Sequence, residues 1–487
     1  MLKKIGEKTI ENTPAVVRIG DASFPSPFRG GLEYSSPARG TWNIVHTGML
    51  VPEAHEIFVC AASCLRGVVL TAAEMNALDR FSTVEVKENN LLDGDMEELL
   101  IDGVSDVINK LEKRPPAVLV YTSCVHHFTG CDWKVMFGTL KERFPDIDIV
   151  DCYMNPTLRK SGLTPDQIMR RQLYALLKER PLRKEAVAII GNDLPTRKNS
   201  DLYILLEKLG MKIHEITSCK TYTEYQEMAE SSIYISYYPS AKAGGDTLAK
   251  RLGGKHIYLP YSWDYDEIKK NLDNLRDLCV RQFFSDRDEN GAAEKNVDAR
   301  IAECNEEKYW ISDNQETDKD YSKYYEECIE ECEASIEKAY SLIGDTPIAI
   351  DYTFCPRPTS VAKVLLEHGF NVKRIYLDSF TGEEEDDYEF LKANYPELML
   401  YATIDIESRF MASSEKETNE KWLAIGQKAA YFLGTDHFVN IVEGGGMFGF
   451  EAITDTMELL CDAFENKKDM RSLVQIKGMG CGCCSIG

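Results

Sequence analysis

The chain has 487 residues, 44% hydrophobic and 28% charged, with 32 Gly and 18 Pro, a globular composition that excludes collagen-like, coiled-coil and disordered chains. Its 56 Lys and Arg against 80 Asp and Glu give a formal net charge of −24, so a nucleic-acid backbone or an anionic membrane is repelled over most of the surface. No apolar run reaches the roughly 20 residues that span a bilayer, and the opening MLKKIGEKTIENTPAVV has no continuous apolar stretch, so the location read from the sequence is cytoplasmic.

Fifteen cysteines are too few for a disulfide scaffold in a chain of this length, and in a reducing compartment they stay free as thiols or metal ligands. The length predicts about three domains. Residues 1–40, with PSPFRGGLEYSSPARG, read as an irregular arm that could wrap a partner. Residues 41–182 form a first α/β domain with strands IFVCAAS and STVEVKE, helix MEELLIDGVSDVINKLEK and strand PPAVLVYTS, which ends at Ser123 so that Cys124 opens a loop. Residues 183–264 alternate cleanly from strand AVAIIGN to strand KHIYLPY, the pattern of parallel βαβ units with ligands beyond the strand carboxyl ends. Residues 265–343 form an acidic helical connection in which Cys328 and Cys332 fall on a buried helix face. A third α/β domain, 344–475, runs through strands PIAIDYTF, NVKRIYLD and ELMLYATI, a helix WLAIGQKAAYFLG, strand HFVNIV and helix AITDTMELLCDAF; residues 476–487 are a Cys-rich tail. The fold class is therefore α/β with three Rossmann-like domains built on parallel sheets.

The chemistry concentrates in the first unit. Cys60 and Cys64 are spaced C-A-A-S-C, and Cys124 and Cys131 lie in TSCVHHFTGCDW behind a buried strand. Thiolates converging from strand ends suit an iron-sulfur cluster or zinc, although these spacings match neither a zinc ribbon nor a ferredoxin run, and shielded free thiols are the alternative. His126 and His127 follow Cys124 and either tune the site or hydrogen-bond the loop. Cys355 and Glu443 close strands of the third unit and are pocket candidates there, against a plain buried thiol for Cys355. Gly444, Gly446 and Gly449 satisfy G-x-G-x-x-G, the dinucleotide pattern, but close packing explains the same glycines. His368 precedes Gly369 in a last helical turn, a structural position. Cys481, Cys483 and Cys484 lie among glycines and either chelate a metal or form an oxidation-prone tail.

The stretch HTGMLVPEAHEIFVCAASCLRGVV, the segment from Glu88 to Leu99 and the cysteine closing the strand at Cys124 together resemble the component 1 family of nitrogenases and nitrogenase-like oxidoreductases. The resemblance runs from about residue 40 to 465 and implies three α/β domains, with Cys60 and Cys124 ligating an Fe-S cluster between two component 1 subunits. The family's nitrogenase subunits carry a further cysteine upstream of the Cys60 position, and none precedes residue 60 here. Cys64 or Cys131 substitutes, or the cluster is a smaller [4Fe-4S] species rather than a larger bridging one. The segments ISYYPSAKAGGD and NIVEGGGMFGFEAI, where the catalytic nitrogenase subunit holds its molybdenum-iron cofactor, contain neither Cys nor His. The resemblance thus implies a reductase subunit relaying low-potential electrons to a small-molecule substrate between domains, with an ATP-dependent iron protein as donor and without N2 reduction on such a cofactor. A cluster-assembly scaffold without turnover is the alternative.

Overall fold

A computed structural model of the chain describes residues 15–28, 44–154, 163–284, 316–403 and 421–473. Its first strand, β1 (Val16–Arg18), joins the last sheet. The first sheet holds β2 (His55–Ala61), β3 (Phe81–Val86), β4 (Ala117–Ser123) and β5 (Asp148–Met154), in the order β3-β2-β4-β5 and parallel throughout. Its central strands HEIFVCA and AVLVYTS are almost wholly buried, as expected where helices cover both faces of a parallel sheet. One such cover is the Met96–Lys110 helix, whose Leu100, Ile101, Val104 and Ile108 repeat at helical spacing and turn into the core.

The second sheet, β6 (Arg183–Ile189), β7 (Lys212–Glu215), β8 (Ser231–Ser236) and β9 (Lys255–Tyr258), repeats the plan in the order β7-β6-β8-β9. The third comprises β10 (Ile348–Asp351), β11 (Val372–Tyr376), β12 (Met399–Tyr401), β13 (Leu423–Ile425) and β14 (Phe438–Val439), in the order β1-β12-β11-β10-β13-β14. Only β1 runs antiparallel, pairing Val16 with Tyr401 and Arg18 with Met399. Each sheet reverses its winding once, between β2 and β4, between β6 and β8, and between β10 and β13, and the crevice beyond those strand ends is where such folds place ligands.

One apolar core, including Cys60, Tyr121, Tyr174 and Tyr225, joins the first sheet to the second. Another, including Ile233, Trp263, Phe354 and Ile453, joins the second to the third. The acidic helix spans Glu316–Ile343 and packs on the Phe450–Glu465 helix, with Cys332 fully buried and Cys328 partly so, as their spacing implies.

Three local readings change. Cys124 opens a short helix, Cys124–Phe128, rather than a loop. WLAIGQKAAYFLG divides into β13 and a Gln427–Leu433 helix, because Gly426 sits at φ 109°, outside the helical region, where a Cβ would come within 2.4 Å of Asp351 Oδ2. The arm taken as irregular contributes β1, and its 15–28 segment packs on this chain's own third sheet, with Tyr388 Oη donating to the Ala22 carbonyl at 2.6 Å. Among the described residues no helix is long and apolar enough to cross a membrane.

Candidate functional site

The first winding reversal brings cysteines together. Cys60 is the penultimate residue of β2, Cys64 lies in the first turn of the Ala62–Glu74 helix that follows, and Cys124 begins the helix that follows β4, the strand paired with β2. Apolar β2 buries Cys60 completely, while Cys64 and Cys124 are half-buried. Burial is the main cause that pushes the Cys60 thiol up, followed by the charges of Cys64 and Cys124; Cys124 is likewise raised by burial and then by Cys64. The three thiols therefore lie within electrostatic reach of one another, and all are free.

The Ala62–Glu74 helix has no side-chain cap on its N-terminus, and Cys64 lies in its first turn. Corresponding helices in the third sheet are already served by carboxylates. Asp351 Oδ2 accepts from the Ala429 N–H at 2.6 Å in the Gln427–Leu433 helix. Asp201 Oδ2 accepts from the Phe450 and Glu451 N–H groups at 2.6 and 3.3 Å at the start of the Phe450–Glu465 helix.

Cys131 stands apart from the trio: it packs with Val125 and Trp133 against the core on the other face of the sheet, with Thr129 Oγ1 at 3.3 Å from its sulfur. Among the described residues no three His, Cys, Asp or Glu side chains stand close enough to hold a single metal ion. A multi-iron cluster makes a different demand, since each iron takes its own thiolate and the sulfurs stand further apart. Cys60, Cys64 and Cys124, close enough for their charges to act on one another, are the residues here that could supply such ligands. His126 is buried beside them, its pKa lowered to about 4 chiefly by burial, with Nδ1 3.3 Å from the Ser123 N–H and Nε2 without a partner. His55 opens β2, and its Nε2 lies 2.8 Å from Ser82 Oγ.

The pocket candidates of the third unit also meet. The Glu443 N–H donates to the Thr353 carbonyl at 2.9 Å, and the Cys355 thiol, buried and raised by that burial, feels the Glu443 charge. Glu443 takes the left-handed φ of 47°, a strained conformation for a side-chain residue, and burial followed by the charge of Asp193 pushes its carboxyl up to about 8. Facing it from the second sheet, Tyr238 Oη donates to the Glu443 carbonyl. Arg170 Nη2 binds Asp193 Oδ2 at 2.5 Å, and Asp193 Oδ1 is buried without a partner. Arg170, Asp193 and Tyr238 were not singled out from the sequence, although Asp193 follows the strand AVAIIGN and the strand-end rule reaches it.

The three candidate nucleotide glycines have a packing role. A Cβ on Gly446 would come 2.0 Å from the Pro195 carbonyl oxygen and one on Gly449 2.3 Å from Asp201 Oδ2, while Gly444 lies against Tyr238. The helix start that a pyrophosphate would use is held by Asp201. His368 caps its helix end, with Nδ1 2.7 Å from the Val364 carbonyl oxygen and Nε2 3.2 Å from Glu333. Cys481, Cys483 and Cys484 lie outside the described residues.

A family described as nitrogenase component 1 type oxidoreductase matches residues 47–338. The chain belongs to that family. The matched span contains the whole thiol trio and its two strands. Two solved structures share the fold of this component 1 chain at 12% sequence identity: "Nitrogenase Cp1 at pH 6.5", with a TM-score of 0.59 over 90% of this chain and 94% of that one, and "Nitrogenase Cp1 at pH 5", with 0.55 over 92% and 93%. No curated protein matches the sequence.

A buried acid beneath the site gives a test of its energetics. Glu56, inside β2, is fully buried; its Oε1 lies 3.4 Å from Tyr121 Oη and its Oε2 has no partner. Burial raises its carboxyl well above the ordinary 4.5. The folded state therefore holds a proton that the unfolded state releases, so stability is fully present below about 4.5 and is lost as pH rises towards the folded value. Glu56→Gln, which cannot ionise, is expected to remove that slope, gaining on the parent by about 1.4 kcal/mol for each pH unit between the ordinary and the folded value, and by little at pH 4. Thermal melts of both proteins across that range check the slope.

Proposed function

We propose that this chain is a nitrogenase-like oxidoreductase subunit that relays low-potential electrons through a Cys-ligated Fe-S cluster to a small molecule between its sheets. The observation that carries this reading is the gathering of Cys60, Cys64 and Cys124 at the winding reversal of the first sheet. These three thiols would hold the cluster, which supplies one-electron storage at low potential when bound. The chain's own contribution is to orient the thiolates on rigid strand ends and to keep water from Cys60.

At the far junction, Glu443 retains its proton at neutral pH because its carboxyl is pushed up to about 8, and it stands beside Cys355, Asp193 and Tyr238 as a proton source for a substrate there. A second component 1-type subunit is the partner this surface suits. Leu92 and Phe128, each 82% exposed, belong to the helices that follow β3 and β4 beside the thiols, and apolar side chains this exposed favour burial against protein. An ATP-dependent iron protein completes the relay as donor; the glycine motif of this chain is packed against its own second sheet, which leaves nucleotide binding to that donor.

Anaerobic purification followed by iron analysis and electron paramagnetic resonance tests the reading. A brown protein with several irons per chain and a reducible cluster signal is expected, and an iron-free chain after cluster reconstitution would overturn it. A cluster that leaves the chain for an added acceptor apoprotein, with no turnover under reducing conditions, would instead mark an assembly scaffold.

A further inference from the structure

Beside the thiols, the first sheet carries a cavity of about 400 Å³ that the relay does not use. Volumes of this order take small organic ligands. The cavity opens between the carboxyl ends of β4 and β5 and the Pro165–Ala175 helix, and Thr122, Asp151 and Gln172 come to it from those three elements. None of Cys60, Cys64 and Cys124 lines it.

The lining has two kinds of surface. One is flat and aromatic: the rings of His127 and Trp133 lie 4.6 Å apart between centroids, tilted by 39°, and Ile168 adds apolar surface. The other is made of acceptors. Gln172 Oε1 is buried and has no hydrogen-bond partner, an arrangement that costs free energy until a donor arrives. Asp151 adds an exposed carboxylate. The Thr122 hydroxyl directs its proton to the Cys152 carbonyl at 3.4 Å, which leaves its oxygen lone pairs for another donor. Lys141 and Arg171 lie near Asp151 but do not line the cavity.

A carboxylate, an orphaned amide oxygen and a hydroxyl oxygen all ask for N–H donors, and an aromatic wall favours a flat cation over a flat anion. We propose that this cavity is a binding site for a small planar organic cation of the amidinium or guanidinium class, separate from the cluster site.

Isothermal titration calorimetry on the full chain, purified anaerobically, tests it with benzamidine as the probe. Benzamide and benzoate serve as the neutral and anionic forms of the same shape. Benzamidine is expected to bind saturably at one site, roughly tenfold or more tighter than either control, the ratio that one charge-assisted contact confers. Asp151→Asn, an exposed change that leaves the fold intact, should lower benzamidine affinity by about the same factor and leave benzamide unchanged. Absence of saturable heat, benzoate binding as well as benzamidine, or full benzamidine affinity in Asp151→Asn would each overturn the proposal.

Discussion

Cys124→Ala is expected to strip most of the iron from the chain and to shift the assembly towards the single subunit. The substitution removes one of three thiols at the first winding reversal, and where metal binding and assembly are coupled, lost ligand energy appears as lost association. Cys328→Ala is the matched control. That thiol is also half-buried and raised to about 12 by burial, but it sits on the acidic helix beside Tyr324. It should leave iron content unchanged and cost roughly 1 kcal/mol of packing. Iron per chain and oligomeric mass, measured on both variants, separate the outcomes. Equal iron in the two would reduce Cys124 to an ordinary thiol and remove the main residue-level support for the electron relay.

Asp201→Ala is expected to cost about 2–4 kcal/mol, the scale for removing a buried acceptor that serves both a helix N-terminus and a hydroxyl. Asp201 starts a helix of the second sheet yet serves the third: its Oδ2 accepts from Phe450 and Glu451 N–H, and its Oδ1 accepts from Tyr324 Oη at 2.5 Å on the acidic helix. Three elements distant in sequence thus share one carboxylate. Removing it leaves the N-terminus of the Phe450–Glu465 helix without this acceptor and takes one hydrogen bond from the Tyr324 hydroxyl. Asp201→Asn keeps one acceptor for the helix amides and should lose less than half as much. Urea denaturation of the three proteins reads the difference, and an alanine variant within about 1 kcal/mol of the parent would show that the helix start is served by solvent instead.

Much of the architecture is legible in the residues because the signals are local. The runs AVLVYTS and AVAIIGN announce buried parallel strands, and their ends locate Cys124 and Asp193 in space. What escapes such reading depends on distance. The three residues of β1 carry no pattern of their own and become a strand only by pairing with β12. WLAIGQKAAYFLG has helical spacing throughout, and only the approach of Asp351 to Gly426 shows why it must break. At the site, four cysteines in two pairs are visible in the chain, but which face of the sheet each one meets is not. Cys64 begins a helix on the crevice side, whereas Cys131 turns to the opposite face of the sheet. The cavity beside Trp133 draws its walls from five separate elements, and no spacing rule reaches it.

The pairing of β1 with β12 also sets a timetable for synthesis. The strand that closes the edge of the third sheet is made before both other sheets, and its partner Met399–Tyr401 is made after them. At translation rates of about 5–20 residues per second the strand waits on the order of half a minute, exposed, while the first two sheets are made and can already pack. Those sheets are complete within residues 55–258 and use no part of β1. The nascent chain therefore carries this strand unpaired until the last sheet arrives to capture it, and a change that occupies the strand delays that capture without disturbing the thiol site.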